Sequence, residues 1–205
     1  LPYTGNDFTG DGNAVALWSV NNGALTTDST GNGNTLTDNN TVGTDTGDYI
    51  EGDASADLVS ANSEYLSISD ANLSVGFPLK STDTTKKISI SVWFKSDSIT
   101  GNHVILSKYN TATSARSLWI ATVGNDLTVY LGHTGGASAE LLFGGGNDIQ
   151  TGRWYHLGFT YQDSDKSWTY TLWDDTAGSA TSGSGTATNN ISVEDAAFEI
   201  GSQNS

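Results

Sequence analysis

Hydrophobic and polar residues alternate along much of the second half of this chain. In residues 88–95, Ile88, Ile90, Val92 and Phe94 fall on one side of an extended strand, and Ser89, Ser91, Trp93 and Lys95 fall on the other, because successive strand side chains point to opposite faces. Residues 153–161 and 166–174 repeat the pattern with aromatics and read as a hairpin. A four-residue loop over 162–165 places Phe159 opposite Trp168, Leu157 opposite Tyr170 and Tyr155 opposite Leu172, which makes one face apolar. The other face receives His156 with Thr171 and Trp154 with Trp173. A five-residue loop would slip the register by one and set apolar residues against Thr and Ser, a change that burial of one face penalises.

Further strands are predicted over 14–20, 56–60, 64–69, 103–108, 117–123, 127–132, 139–143 and 196–201, with weak strand material at 35–37. Gly124-Asn125-Asp126 supplies a hairpin turn signal. Residues 70–87 and the glycine run Gly144 to Gly146 read as loops, and the Ser/Gly/Thr stretch 176–190 as flexible. The single helix-like interval is 193–198, about one turn. About 11–14 strands with almost no helix predict an all-β, antiparallel two-sheet sandwich. No compositional break divides it, so one domain over 1–205 is expected, with 1–13 as a lead-in.

Composition narrows the function classes. The 23 acidic residues against 8 basic ones give a net charge of −15. That balance argues against nucleic acid and anionic membranes, which attract Lys and Arg clusters. It suits cations, neutral sugars or a salty medium, and it also serves solubility alone. There is no Cys, hence no disulfide and no thiolate metal site. No apolar run is long enough for a membrane-spanning helix. The chain has no Met and begins at Leu1, so a processed or partial product is expected.

Several segments together resemble the laminin G-like, concanavalin A-like jelly-roll superfamily. They are ALW (16–18), DSTGNGN (28–34), EYLSISD (64–70), ISVWFKSDS (90–98), ILSKYN (105–110), GRWYHLGFTYQDSDK (152–166) and IGS (200–202). The resemblance implies two antiparallel sheets packed face to face, one of them often concave. Such domains usually add a strand after the IGS segment, so a C-terminal closing strand is expected to be missing or to come from a partner chain.

Two candidate sites follow. DFTGDGN (7–13) and DSTGNGN (28–34) share an Asp-x-Thr-Gly-[Asp/Asn]-Gly-Asn pattern, which looks like the first half of a calcium loop. Neither has the closing Glu of an EF-hand; Trp18 and Asn39 stand there instead. The resemblance implies structural calcium at the second loop, with Asp28, Gly31, Asn32 and Asn34 as the ligand set; Asp7 and Asp11 form the weaker counterpart. The turn-forming chemistry of Asp, Asn and Gly accounts for both loops equally. The second site is an aromatic platform for sugars, made by Trp93, Trp154, His156 and Trp173 on the faces opposite the predicted core side. Burial of that face under loops or a second subunit is the competing reading.

Catalysis finds little support. No strand carries alternating carboxylates of the kind glycosidases use, and no GxSxG occurs to join His103, His133 or His156 in a triad. The expectation is therefore a non-catalytic extracellular or surface-borne module that binds glycan or a surface protein, with structural calcium. A structural protein of a larger assembly, such as a virion decoration, fibre or adhesin segment with an oligomer or partner contact at the C-terminal edge, is the alternative. A glycoside hydrolase or lyase is the second alternative.

Overall fold

In the computed structural model, Phe8, residues 11–146 and residues 148–203 are described. Among them, short extended segments start with β1 (Thr37–Asn39), β2 (Gly43–Asp45), β3 (Ser55–Asp57) and β4 (Tyr65–Ile68). Longer strands follow where the alternation is strong: β5 (Lys87–Lys95), β6 (Asn102–Asn110), β7 (Ala115–Val123), β8 (Asp126–His133) and β9 (Ser138–Gly144). The aromatic hairpin is β10 (Trp154–Gln162) with β11 (Ser167–Asp174), and β12 (Ser179–Thr186) and β13 (Phe198–Ile200) complete the set. Helical structure among the described elements is confined to single 3-10 turns such as Ser60–Asn62 and Asp70–Asn72.

The strands form a seven-stranded sheet in the order β1-β4-β13-β6-β7-β8-β9, a four-stranded sheet β12-β11-β10-β5, and a small β2-β3 ribbon. All pairings are antiparallel. The two large sheets enclose one hydrophobic core. Leu66, Leu118, Ile120, Val129 and Leu131 come from the first sheet, and Leu157, Phe159, Tyr161 and Leu172 from the second. This is the all-β sandwich that the alternation predicts. β13, which carries the IGS approach, is an interior strand bonded to β4 on one side and β6 on the other.

Four local expectations are corrected. Residues 14–20 form no strand; the segment is held as a loop, with the Trp18 indole stacked on Phe198 at 5.3 Å and donating to the Asn34 carbonyl at 2.7 Å. Residues 193–198 form no helical turn. The stretch 176–190 contains the edge strand β12, whose Gly183 and Gly185 make room for rings of β11: a Cβ at either would stand 2.6 Å from Tyr170 or Trp168. The hairpin register is shifted by two residues, so that Phe159 faces Tyr170, Leu157 faces Leu172 and His156 faces Trp173. The loop runs over 163–166 instead, because Lys166 adopts the left-handed conformation at φ 58 and the Ser167 N–H bonds to Asp165 at 3.0 Å. Asp163 is drawn out of the strand by Ile191, whose N–H reaches its carboxylate at 2.8 Å. A shift of two preserves both faces, so the predicted apolar side is the core side.

One buried charge ties distant segments together. Lys108 on β6 reaches Asp70 at 2.8 Å, and it donates to the carbonyls of Glu194 and Ala196. Its side chain is 2% exposed and that of Asp70 is 7% exposed. Asp70 also accepts from the Ser81 N–H and hydroxyl. Burial alone would raise its pKa, but the hydrogen bonds from Lys108 and Ser81 outweigh that and hold it below the ordinary carboxylate value.

Candidate functional site

The outward side of the four-stranded sheet collects the predicted platform. β10 lies between β5 and β11, and its His156 pairs with Trp93 on one side and Trp173 on the other. With strands about 4.8 Å apart, Trp93, His156 and Trp173 make a row about 10 Å long across three strands. The Trp93 and His156 rings lie 5.0 Å apart at 50°. His156 is fixed by a 2.8 Å hydrogen bond between its Nε2 and the Ser91 hydroxyl, and burial pulls its pKa below the usual histidine value. Trp173 is 36% exposed, and its indole N–H leans on Asp175 at 3.4 Å.

Trp154 shares the face but lies outside the row. It sits beside Lys95, its neighbour on β5, and is held by the loop before β3. The Trp154 indole donates to Asp48 at 2.6 Å, Asp48 also pairs with Lys95, and the Lys95 ammonium stands 5.7 Å from the Trp154 ring centroid. Hydrogen bonds from Lys95 and Trp154 keep the Asp48 carboxyl below its ordinary range.

Away from this cluster the face is lined by hydroxyls. Thr160 and Thr169 share a 2.7 Å hydrogen bond, and Ser89, Thr171, Ser182, Ser184 and Thr186 occupy the same side by register. None of the outward strand positions carries a carboxylate; the charges there are Lys87 and Lys95. Ser91 and Lys95 could be found from the alternation of β5. Asp48 could not, because it comes from an irregular loop 106 residues before Trp154.

The four residues of the expected calcium loop are also brought together, as a hydrogen-bonded knot. Asp28 Oδ1 accepts from the Leu17 and Thr30 N–H groups and the Thr30 hydroxyl, and Oδ2 accepts from the Asn34 backbone and side-chain N–H groups. Burial would raise the Asp28 pKa, yet the Thr30 hydroxyl and the three backbone N–H groups outweigh it and lower the value. The Asn34 side-chain oxygen accepts from the Ser74 N–H at 2.8 Å, and Asn32 donates to the Ala14 and Val15 carbonyls. Gly31 lies in the left-handed turn between them, at φ 79. A carboxylate offers about four acceptor positions, so a cation here would have to displace N–H and O–H donors that already converge on it. No cluster of three or more His, Asp or Glu suited to a metal occurs among the described residues. Asp11 accepts from Asn13, and Asp7 lies outside the described residues.

The remaining candidate groups are dispersed. His103 bonds to the Thr100 carbonyl and His133 to the Thr134 hydroxyl, away from His156. Glu64 binds the Val59 N–H and Asn62, while Glu140 binds Thr188 and Asn189. The Ser91–His156 pair has no carboxylate hydrogen-bonded to the other ring nitrogen among the described residues.

Comparison with known proteins agrees with this architecture. The chain is similar in fold to full-length tailspike protein 2 from Escherichia coli O157:H7 bacteriophage CAB120, at 14% identity and a TM-score of 0.50, over 74% of this chain and 20% of that chain. It thus spans 20% of the length of that tailspike. Weaker likenesses include the CBM40 of Ruminococcus gnavus IT-sialidase bound to alpha2,3 sialyllactose, at 11% identity and a TM-score of 0.41 over 56% of this chain and 63% of that chain. Peanut lectin matches at 11% identity and a TM-score of 0.36, over 57% and 64%. No curated protein sequence matches. The family described as the concanavalin A-like lectin/glucanases superfamily, in its laminin G form, matches residues 60–205, and with two large sheets, one shared core and no long helix among its described residues, the chain belongs to that family.

Proposed function

We propose that this domain is a recognition module that holds carbohydrate on the outward face of its four-stranded sheet. The carrying observation is the Trp93–His156–Trp173 row on a face whose strand positions carry no carboxylate, in a protein with a net charge of −15. Flat rings spaced over about 10 Å suit the apolar faces of one or two sugar units. Hydroxyls of Ser91, Thr171 and Ser182 border the row and can exchange hydrogen bonds with a ligand. In this reading the domain works outside the cell or on a particle surface, and no step of chemistry is assigned to it.

Binding of neutral and acidic oligosaccharides, measured by calorimetry and on a glycan array, tests the reading. Trp173→Ala is expected to weaken binding about tenfold, near 1.4 kcal/mol, with the melting temperature little changed because the side chain is partly exposed. No binding across a broad panel, or binding indifferent to Trp93→Ala and Trp173→Ala, would refute it.

A structural role in a larger assembly is the second reading. β12 is an edge strand of eight residues with neither charge nor proline, and such edges invite pairing with another strand. A concentration-dependent oligomer that Ser182→Lys dissolves would favour that role.

A further inference from the structure

The inward side of the same sheet ends in a recess, at the mouth of the sandwich. Its volume is about 490 Å³, and it is lined by Asp148 and Gln150 from the connection before β10, by Arg153, by Asp174 at the end of β11, and by Ser179 and Thr181 of β12. Tyr155 and Leu172 form a small apolar floor. The position follows from the register: Tyr155 pairs with Asp174 and Leu172 with Thr181, so these four share the side opposite Trp173.

Part of the lining is internally satisfied, and this fixes its shape. Arg153 donates one Nη1 hydrogen bond to Asp174 Oδ2 at 3.1 Å, and Asp174 Oδ1 accepts from the Ala177 N–H at 2.9 Å. Burial would raise the Asp174 pKa, but bonds from Ala177 and Arg153 lower it, so the carboxylate stays charged. The Gln150 N–H donates to the Tyr155 hydroxyl at 2.9 Å, which pins the connection over the floor.

The rest of the lining has unused capacity. Among the described residues, the other Arg153 N–H groups make no hydrogen bond, nor do the side-chain hydroxyls of Ser179 and Thr181. Asp148 accepts one long bond from Asn125, at 3.3 Å, and its second oxygen accepts none from the described residues. Gln150 uses its side-chain nitrogen on the Asp148 carbonyl, and its oxygen accepts no bond from the described residues. Donors and acceptors therefore converge in comparable number on a space within the range of small-ligand pockets. Two carboxylates and one guanidinium leave the recess with one net negative charge, which disfavours an anion. The mostly polar lining disfavours an apolar ligand, and two carboxylates do not make a metal centre.

We infer that this recess binds a neutral, polyhydroxylated ligand, a single uncharged sugar unit, with Arg153 donating to ligand oxygens and Asp148 and Gln150 accepting from ligand hydroxyls. The inference does not depend on the aromatic face, which lies on the other side of the sheet.

Amide chemical-shift mapping with a methyl glycoside of a neutral hexose, and separately with glucuronic acid, tests it. The neutral glycoside is expected to perturb amides of residues 148–153 and 174–181. Asp148→Asn should weaken that binding about tenfold, which corresponds to the loss of one charge-assisted hydrogen bond. Thr181→Phe, on the exposed edge strand, should abolish it by filling the space, with unchanged dispersion elsewhere confirming the fold. Trp173→Ala should leave it intact. The inference fails if the neutral glycoside perturbs none of these amides, if glucuronic acid binds as tightly, or if Thr181→Phe has no effect. Perturbations confined to the aromatic row and lost in Trp173→Ala would overturn this site while supporting the first.

Discussion

Lys108 and Asp70 meet at 2.8 Å with both side chains almost sealed from water. The pair joins β6 to the loop after β4, and the same ammonium holds the carbonyls of Glu194 and Ala196 in the approach to β13. Removing one partner strands a buried charge, which costs roughly 3–5 kcal/mol. Lys108→Met and Asp70→Asn are each expected to lower stability by about that much in urea unfolding. The double variant should lose less than the sum, because the partner left behind in each single variant is absent. Additive losses would show that the two groups act separately.

His156 gives a pH dependence of definite sign. Burial lowers its pKa below the ordinary 6.5, so between the two values the unfolded chain binds more protons than the folded one. The stability linked to this group is complete above pH 6.5 and is lost as pH falls through that value towards the folded pKa. His156→Gln should flatten this part of the stability profile while leaving the steeper loss at lower pH, where the hydrogen-bonded carboxylates of Asp28, Asp70 and Asp174 protonate. Thermal melts at a series of pH values will read both limbs. An unchanged profile between pH 7 and the carboxylate range would contradict a half-buried imidazole held neutral.

The Asp28 knot is predicted to hold without a metal. Its carboxylate gathers the segment before Trp18 and the turn leading to Asn34 through five donated bonds. Asp28→Ala is expected to cost about 2–3 kcal/mol, as buried donors lose a charged acceptor. A chelator should leave the melting temperature of the native protein unchanged. A fall in melting temperature with chelator, restored by calcium, would assign a cation to this loop.

Gly183→Ala and Gly185→Ala probe the packing of β12 on the hairpin. Each new Cβ would enter the space of a β11 ring, at 2.6 Å, and Tyr170 is backed by Phe143 at 4.2 Å between centroids. Overpacking of this kind costs about 1–3 kcal/mol. Faster hydrogen exchange in β11 and β12 than in β7 and β8 would accompany it. Unaltered stability in both variants would mean that the rings move freely.

The strands with period-two hydrophobic alternation were legible from residues alone, since only one parity buries Ile88, Ile90, Val92 and Phe94 together. The outward position of Trp93, His156 and Trp173 followed from the same parity. The row itself depended on a register that side chains of the loop decide, through Asp163 and Lys166, and alternation does not encode it. β12 was invisible for a related reason. Its inward positions include glycines whose role is set by Tyr170 and Trp168, so no apolar signal marks the strand. Residues 14–20 erred in the opposite sense: Leu17 and Trp18 are apolar, but their backbone and indole N–H groups are claimed by Asp28 and Asn34. The recess around Arg153 is lined from one stretch, residues 146–181, but it exists only once β10, β11 and β12 are paired in register, and no motif within the stretch announces it.

The absence of carboxylates from the outward strand positions of the four-stranded sheet has a consequence before any contact forms. Asp48 and Asp175 reach this face only at its margin, while its strand positions carry none of the acidic side chains of this strongly anionic molecule, so the field around it is lopsided. Approaching a negatively charged cell envelope or particle, the molecule would experience a torque that turns the Lys87–Lys95 side towards that surface. The aromatic row would then arrive first, pre-aligned by long-range repulsion of the rest of the protein. Added salt shortens the reach of that field, so it should slow capture by such a surface and leave the strength of the aromatic contact itself nearly untouched.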